Sequence, residues 1–144
     1  MPSLTRDVQI LLTTIIRQNN EKEEFKEVYK GTYKNSGEIE FLSFVKKDEN
    51  FGKIDYRIII RPNKVHLSRS GELSLQQRFD LNKKTESLYK HPYGNMLMLT
   101  ETKSIKHRKM SKVQKGHVQI IYDLSINDEE NKEHHLVVTY MEEK

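Results

Sequence analysis

The chain has no cysteine, no tryptophan, only three prolines and six glycines, and no apolar run long enough to span a bilayer. Without sulfur ligands, disulfide scaffolds, thiolate nucleophiles, iron–sulfur clusters and cysteine zinc sites are excluded. No Gly/Ser/Pro linker, repeat or low-complexity tract interrupts it, so residues 1–144 read as one domain. At this length folding buries roughly 70% of the surface the unfolded chain exposes, enough for a single core without staples. A basic leader is lacking as well: the first residues are Met1-Pro2-Ser3-Leu4-Thr5-Arg6-Asp7, and the apolar stretch from Val8 to Ile16 is broken by Gln9, Thr13 and Thr14. The expectation is a soluble, cytoplasmic protein with no membrane partner.

What is present is mostly charge and alternation. Lys and Arg total 25 against 21 Asp and Glu, a formal charge of +4 that suits solubility as well as it suits a polyanion. The distribution is less even than the sum. No acid occurs from Thr102 to Tyr122, where Lys103, Lys106, Arg108, Lys109, Lys112 and Lys115 fall, while Asn127 to Glu133 is acid-rich.

Over most of the chain the apolar period is two, the period of a half-buried strand. Ile54, Tyr56, Ile58 and Ile60 form a clean row that Pro62-Asn63 ends as a turn. Val65, Leu67 and Arg69 continue on one parity to Gly71, and Leu73, Leu75, Gln77 and Phe79 repeat the pattern. Val118, Ile120, Tyr122, Leu124 and Ile126 give the most regular strand; Leu136, Val138 and Tyr140 close the chain. Weaker rows are Phe25, Tyr29 and Tyr33 with Gly31, and Ile39, Phe41 and Val45 around Ser43. Met96 to Leu99 is apolar on both parities, which predicts burial on both faces or a crossing point. Turn signals at this spacing belong to an all-β sandwich or barrel. One segment disputes the pattern. Val8, Leu11, Leu12, Ile15 and Ile16 fit a helical face, yet the β-branched residues among them favour a strand.

From Val65 onward the residues become specific. The run Val65-His66-Leu67-Ser68-Arg69-Ser70-Gly71, then Gln77-Arg78-Phe79, Lys84-Thr85-Glu86-Ser87-Leu88-Tyr89, Pro92-Tyr93-Gly94, Thr100, Thr102 and Ile120-Ile121-Tyr122-Asp123-Leu124 resembles the YwiB-like family of small uncharacterised bacterial proteins. The resemblance implies an all-β, closed, mostly antiparallel barrel of about 8–10 strands, of the calycin type and similar to lipocalins. It also implies that the N-terminal segment is a strand. It brings no catalytic residues. Where members often carry threonine before the proline of Pro92-Tyr93-Gly94, this chain has His91.

In a barrel, polar residues on inward rows are the informative ones. Arg69, Gln77 and Tyr122 interrupt apolar rows, and Tyr89 and Tyr93 flank a turn on the rim. Together they suggest a site for a small molecule with an acidic or polar head and an apolar body, with Arg69 neutralising the head. The plainer alternative places Arg69 at the rim, paired with a carboxylate or with strand carbonyls. A second reading uses Lys103, Lys106, Arg108, Lys109, Lys112 and Lys115 as a nucleic-acid or ribonucleoprotein edge, although no aromatics interleave them; the same lysines also protect a sheet edge. A third is a homodimer with a filled barrel.

His134 and His135 are adjacent and point to opposite strand faces, and no histidine has a ligand-spaced histidine partner. All six read as surface histidines, with no metal site and no cofactor. No nucleophile elbow, phosphate loop or dinucleotide fingerprint is present, so no catalytic residues are assigned and a binding protein is favoured over an enzyme.

Overall fold

The computed structural model describes residues 5–110, 115–127 and 129–143. Ten strands follow one another: β1 (Thr5–Gln18), β2 (Glu21–Ser36), β3 (Ile39–Asp48), β4 (Gly52–Arg61), β5 (Lys64–Ser70), β6 (Ser74–Asp80), β7 (Lys84–Tyr89), β8 (Met96–Met110), β9 (Lys115–Ile126) and β10 (Lys132–Glu142). Their order in the sheet is β6-β5-β4-β3-β2-β1-β10-β9-β8-β7, and every ladder between these neighbours is antiparallel. The first and last strands are therefore partners, Val8 facing Glu142 and Arg17 facing Glu133. That pairing sets β1 firmly: the ladder overrides the helical spacing of Val8, Leu11 and Ile15, and the β-branched residues take their preferred strand. Among the described residues no helix is long and apolar enough to cross a membrane.

The sheet curls until its outer strands meet. Ser74 and Lys90 exchange two backbone hydrogen bonds of 2.9 and 2.8 Å, Asn82 N donates to Thr102 O, and Thr85 Oγ1 donates to Arg78 O. These bonds hold β6 to β7 and β8 without a continuous ladder, so the barrel is nearly closed. Bringing the two edges together removes most of the unpaired backbone that an open sheet would offer to other chains.

The middle of the barrel is filled. Ile10, Leu42, Ile58, Ile60, Phe79, Ile120, Val118 and Val138 are among its fully buried side chains, each contributing about 1.5–3 kcal/mol by its removal from water. The row Ile54, Tyr56, Ile58 and Ile60 faces inward as its alternation predicts. β3 does not follow expectation. Glu40, Leu42 and Phe44 point inward, and the predicted row of Ile39, Phe41 and Val45 around Ser43 lies on the outer face. This strand is apolar on both parities, so its register decides, and pairing with Ile60, Ile58 and Tyr56 puts the even residues on the inner face. Met98 is buried while Leu97 and Leu99 are exposed, so that stretch has one inner face, not two.

One seam interrupts the wall. β2 pairs with β3 only from Gly31 to Ser36; from Glu21 to Lys30 its ladder is with β1 alone, and residues 45–48 of β3 pair only with β4. The strands part at Gly31, where an added Cβ would overlap the Ser43 carbonyl oxygen and stand 2.8 Å from Ile10 Cδ1. Across the seam, Lys46 Nζ lies 3.4 Å from a Glu27 carboxylate oxygen.

Candidate ligand-binding site

Two polar groups of side chains stand at opposite ends of the barrel. The first is built on the β3–β4 turn end. Tyr56 on β4 is flanked in the sheet by Phe44 of β3 and Arg69 of β5, and Arg69 by Leu75 of β6. Directly opposed residues share a face, so these side chains form one row across the inner wall. Tyr29 extends it where β2 leaves β3. Tyr29 stacks on Phe44 with ring centres 4.5 Å apart, Phe44 on Tyr56 at 4.8 Å, and the Arg69 guanidinium carbon lies 5.2 Å from the Tyr56 ring centre. The column thus ends in a cation resting on an aromatic face, an attraction of about 0.5–2 kcal/mol.

Arg69 is half-buried, and its Nε is buried without a hydrogen-bond partner. Among the described residues no carboxylate lies within ion-pairing distance of it. Of the partners the plainer reading allowed, Arg69 lacks the carboxylate among the described residues. Its charge is nevertheless felt: burial raises the pKa values of Tyr122 and Tyr29 well above the usual phenol range, and Arg69 opposes the rise in both.

The other expected residues are distributed around this centre. Gln77 is 4% exposed and its amide donates to Thr100 Oγ1 at 3.2 Å. Tyr122 is 5% exposed, tilted against Phe79 at 4.7 Å and stacked on His134 at 5.1 Å. Ser87 Oγ and Thr102 Oγ1 are buried with no hydrogen-bond partner among the described residues. Tyr89 is half-buried and meets His91 at the rim, where His91 also contacts Phe51 and Tyr93. Tyr93 is 87% exposed and belongs to this rim cluster, not to the interior. Outside the wall, a groove of about 480 Å³ follows the seam, with Phe44 and Tyr56 among its lining residues.

The second group was not anticipated from the sequence, because it centres on Glu40, on the parity taken for the outside. This carboxylate is 2% exposed. Tyr33 donates to its Oε1 at 2.7 Å and Tyr140 donates to the same oxygen. His107 Nε2 approaches Oε2 to 2.6 Å, although that oxygen has no well-directed hydrogen bond. Tyr33 and Tyr140 are stacked at 5.2 Å, and Gly116 is bare because a Cβ there would enter the Tyr140 ring. Burial and the Glu40 bond push the Tyr33 phenol up to about 12 and raise Tyr140 further.

The basic run is divided. Lys103 pairs with Asp123 at 3.0 Å. Lys106 and Arg108 oppose Gln119 and His117, whereas Lys109 opposes buried Gly116 and lies 5.9 Å above the Tyr33 ring. Lys115 lines a cavity of about 20 Å³ beside Tyr33 and Tyr140. Lys112 lies outside the described residues. Among the described residues of the run, Lys103, Lys106, Arg108 and Lys109 are exposed and Lys115 is half-buried.

The histidines also differ from expectation. His134 and His135 do face opposite ways, but His134 is 8% exposed, not on the surface. Its Nδ1 donates to Lys132 O, while burial lowers its pKa from the ordinary 6.5. A group whose folded pKa is depressed stabilises fully above its unfolded pKa and loses that contribution as pH falls through the folded one. Denaturant midpoints should therefore drop as the pH falls below 6.5, and the drop should be smaller in His134→Phe, which keeps the stack on Tyr122. An equal drop in the variant would assign the acid limb to other groups. Among the described residues no set of three His, Asp or Glu side chains is placed to hold a metal ion.

A family model described as a domain of unknown function (DUF1934) matches residues 10–138. The chain is 30% identical over 100 residues to the uncharacterized β-barrel protein YwiB of Bacillus subtilis (strain 168), covering 69% of this chain and 68% of that one. The crystal structure of the ywiB protein from Bacillus subtilis superposes with a TM-score of 0.85 at 23% identity, covering 97% of this chain and 94% of that one. At that identity the structural match speaks for the fold alone.

Proposed function

Because the chain belongs to the family described as a domain of unknown function, DUF1934, its role has to be argued from the site, and we propose that it is a binding module for a small molecule with an acidic head and an apolar body, seated at the Arg69 end of the barrel. One observation carries the reading: a half-buried guanidinium stands on an aromatic column with no carboxylate beside it. Holding an unpaired charge partly out of water costs free energy, and a ligand anion restores the missing partner. Arg69 takes the head by charge-assisted hydrogen bonds. The groove along the seam between β2 and β3, with Phe44 and Tyr56 among its lining residues, receives the apolar body. Since the middle of the barrel is filled, the ligand occupies this end and the seam, not a central lumen.

A thermal-shift series of straight-chain fatty acids of increasing length tests the proposal. The melting temperature of the wild type should rise with chain length, and Arg69→Gln should lose the response. If no acid in the series raises the wild-type melting temperature, or if Arg69→Gln responds equally, Arg69 is not a ligand group.

A further inference from the structure

The opposite end of the barrel carries groups that this reading does not use. There a cavity of about 510 Å³ is lined by Asn35, Glu38, Glu40, Ile105, His107 and Lys109, together with Gly37 and Pro62. Glu40 is an unusual wall residue, being 2% exposed with Oε1 occupied by two phenol donors. Its Oε2 faces His107 Nε2 at 2.6 Å. That contact orients the ring, although it is not a well-directed hydrogen bond. The Nε2 edge of the imidazole is thus the one turned to Glu40, and His107 is at the same time one of the residues lining the cavity, an arrangement like that of a carboxylate behind a histidine in many sites. Lys109 supplies the second element. Among the described residues it has no carboxylate partner; its ammonium rests over the Tyr33 ring. The other acid at the cavity, Glu38, is exposed in the β2–β3 turn.

We propose that this end is a second site, separate from the Arg69 column, where His107 and Lys109 bind the phosphate group of a small solute. The choice of phosphate follows from the two groups. Lys109 needs an acceptor bearing negative charge. His107 Nδ1 is an acceptor in the neutral ring and a donor in the charged one. A phosphate with one P–OH offers both a donor and acceptors, and so fits either state, whereas a carboxylate only accepts. Glu40 does not touch the solute. It is a positioning residue that holds the imidazole edge-on, while Tyr33 and Tyr140 hold Glu40.

Inorganic phosphate is the probe. With histidine labelled by nitrogen-15 and carbon-13, its titration should move the His107 ring resonances saturably. Lys109→Gln, an exposed change that leaves the core alone, should weaken the apparent affinity about tenfold or more, the worth of a charged hydrogen bond. Arg69→Gln should leave the titration unchanged, which keeps this test independent of the ligand proposed for the other end. No saturable movement at His107, or the same titration in Lys109→Gln, would overturn the site.

Discussion

Glu40→Ala is expected to destabilise the protein by about 3–5 kcal/mol, lowering the melting temperature by on the order of 10 °C. The size follows from how many elements meet at one carboxylate. Tyr33 comes from β2, Tyr140 from β10 and His107 from β8, and among the ladders none joins β3 to β8 or β10. Cutting Glu40 back strands two buried phenols and an imidazole at the same time, and a buried polar group left without a partner costs more than the bond was worth. Glu40→Gln keeps an acceptor for the tyrosines and should cost only about 1–2 kcal/mol. Chemical denaturation of the pair reads this directly. Equal, small losses in both variants would show that the carboxylate does not bind the four strands together.

Gly31→Ala should destabilise by about 2–3 kcal/mol, the cost of forcing volume into a packed site. Strand propensity predicts the opposite sign, since alanine inside a strand is ordinarily better than glycine by about 0.5–1 kcal/mol. Geometry wins because the added carbon would collide with a backbone oxygen, which cannot swing aside as a side chain can, and would also crowd Ile10 Cδ1 and Phe44 Cβ. To relieve the clash β2 must move away from β3, and Tyr29 must leave Phe44. The loss in denaturant midpoint should therefore come with a changed tyrosine signal in near-ultraviolet circular dichroism. A variant as stable as the wild type would mean that the two strands do not cross so closely.

The fold was legible wherever one parity was polar. Tyr56, Ile58 and Ile60 alternate with Asp55 and Arg57, and Val118, Ile120 and Tyr122 with Gln119 and Asp123; both rows face inward as read. Legibility failed where both parities were apolar. From Ile39 to Val45 the sequence offers two equivalent faces, and only the pairing with β4 selects Glu40, Leu42 and Phe44. That single inversion hid Phe44 from the aromatic column and Glu40 from its cluster of tyrosines and histidine. Arg69, Gln77 and Tyr122 stand out in the sequence because each breaks an apolar row. Tyr29 and Tyr56 passed as apolar members of theirs, and only their stacking on Phe44 gives them a role. Alternation is also a poor guide along the basic run. A register shift between Thr102 and Ser104 interrupts it on β8, so spacing along the chain no longer assigns each cation to a face.

If Arg69 is kept for a ligand and not for the fold, removing its charge should help the unliganded protein. Urea unfolding of Arg69→Met, which keeps much of the aliphatic length against Tyr56 without the guanidinium, measures this in one comparison with the wild type. The variant should be more stable by about 1 kcal/mol. A variant less stable than the wild type by a similar amount would show that the guanidinium holds the barrel together and that the proposed site is part of its architecture.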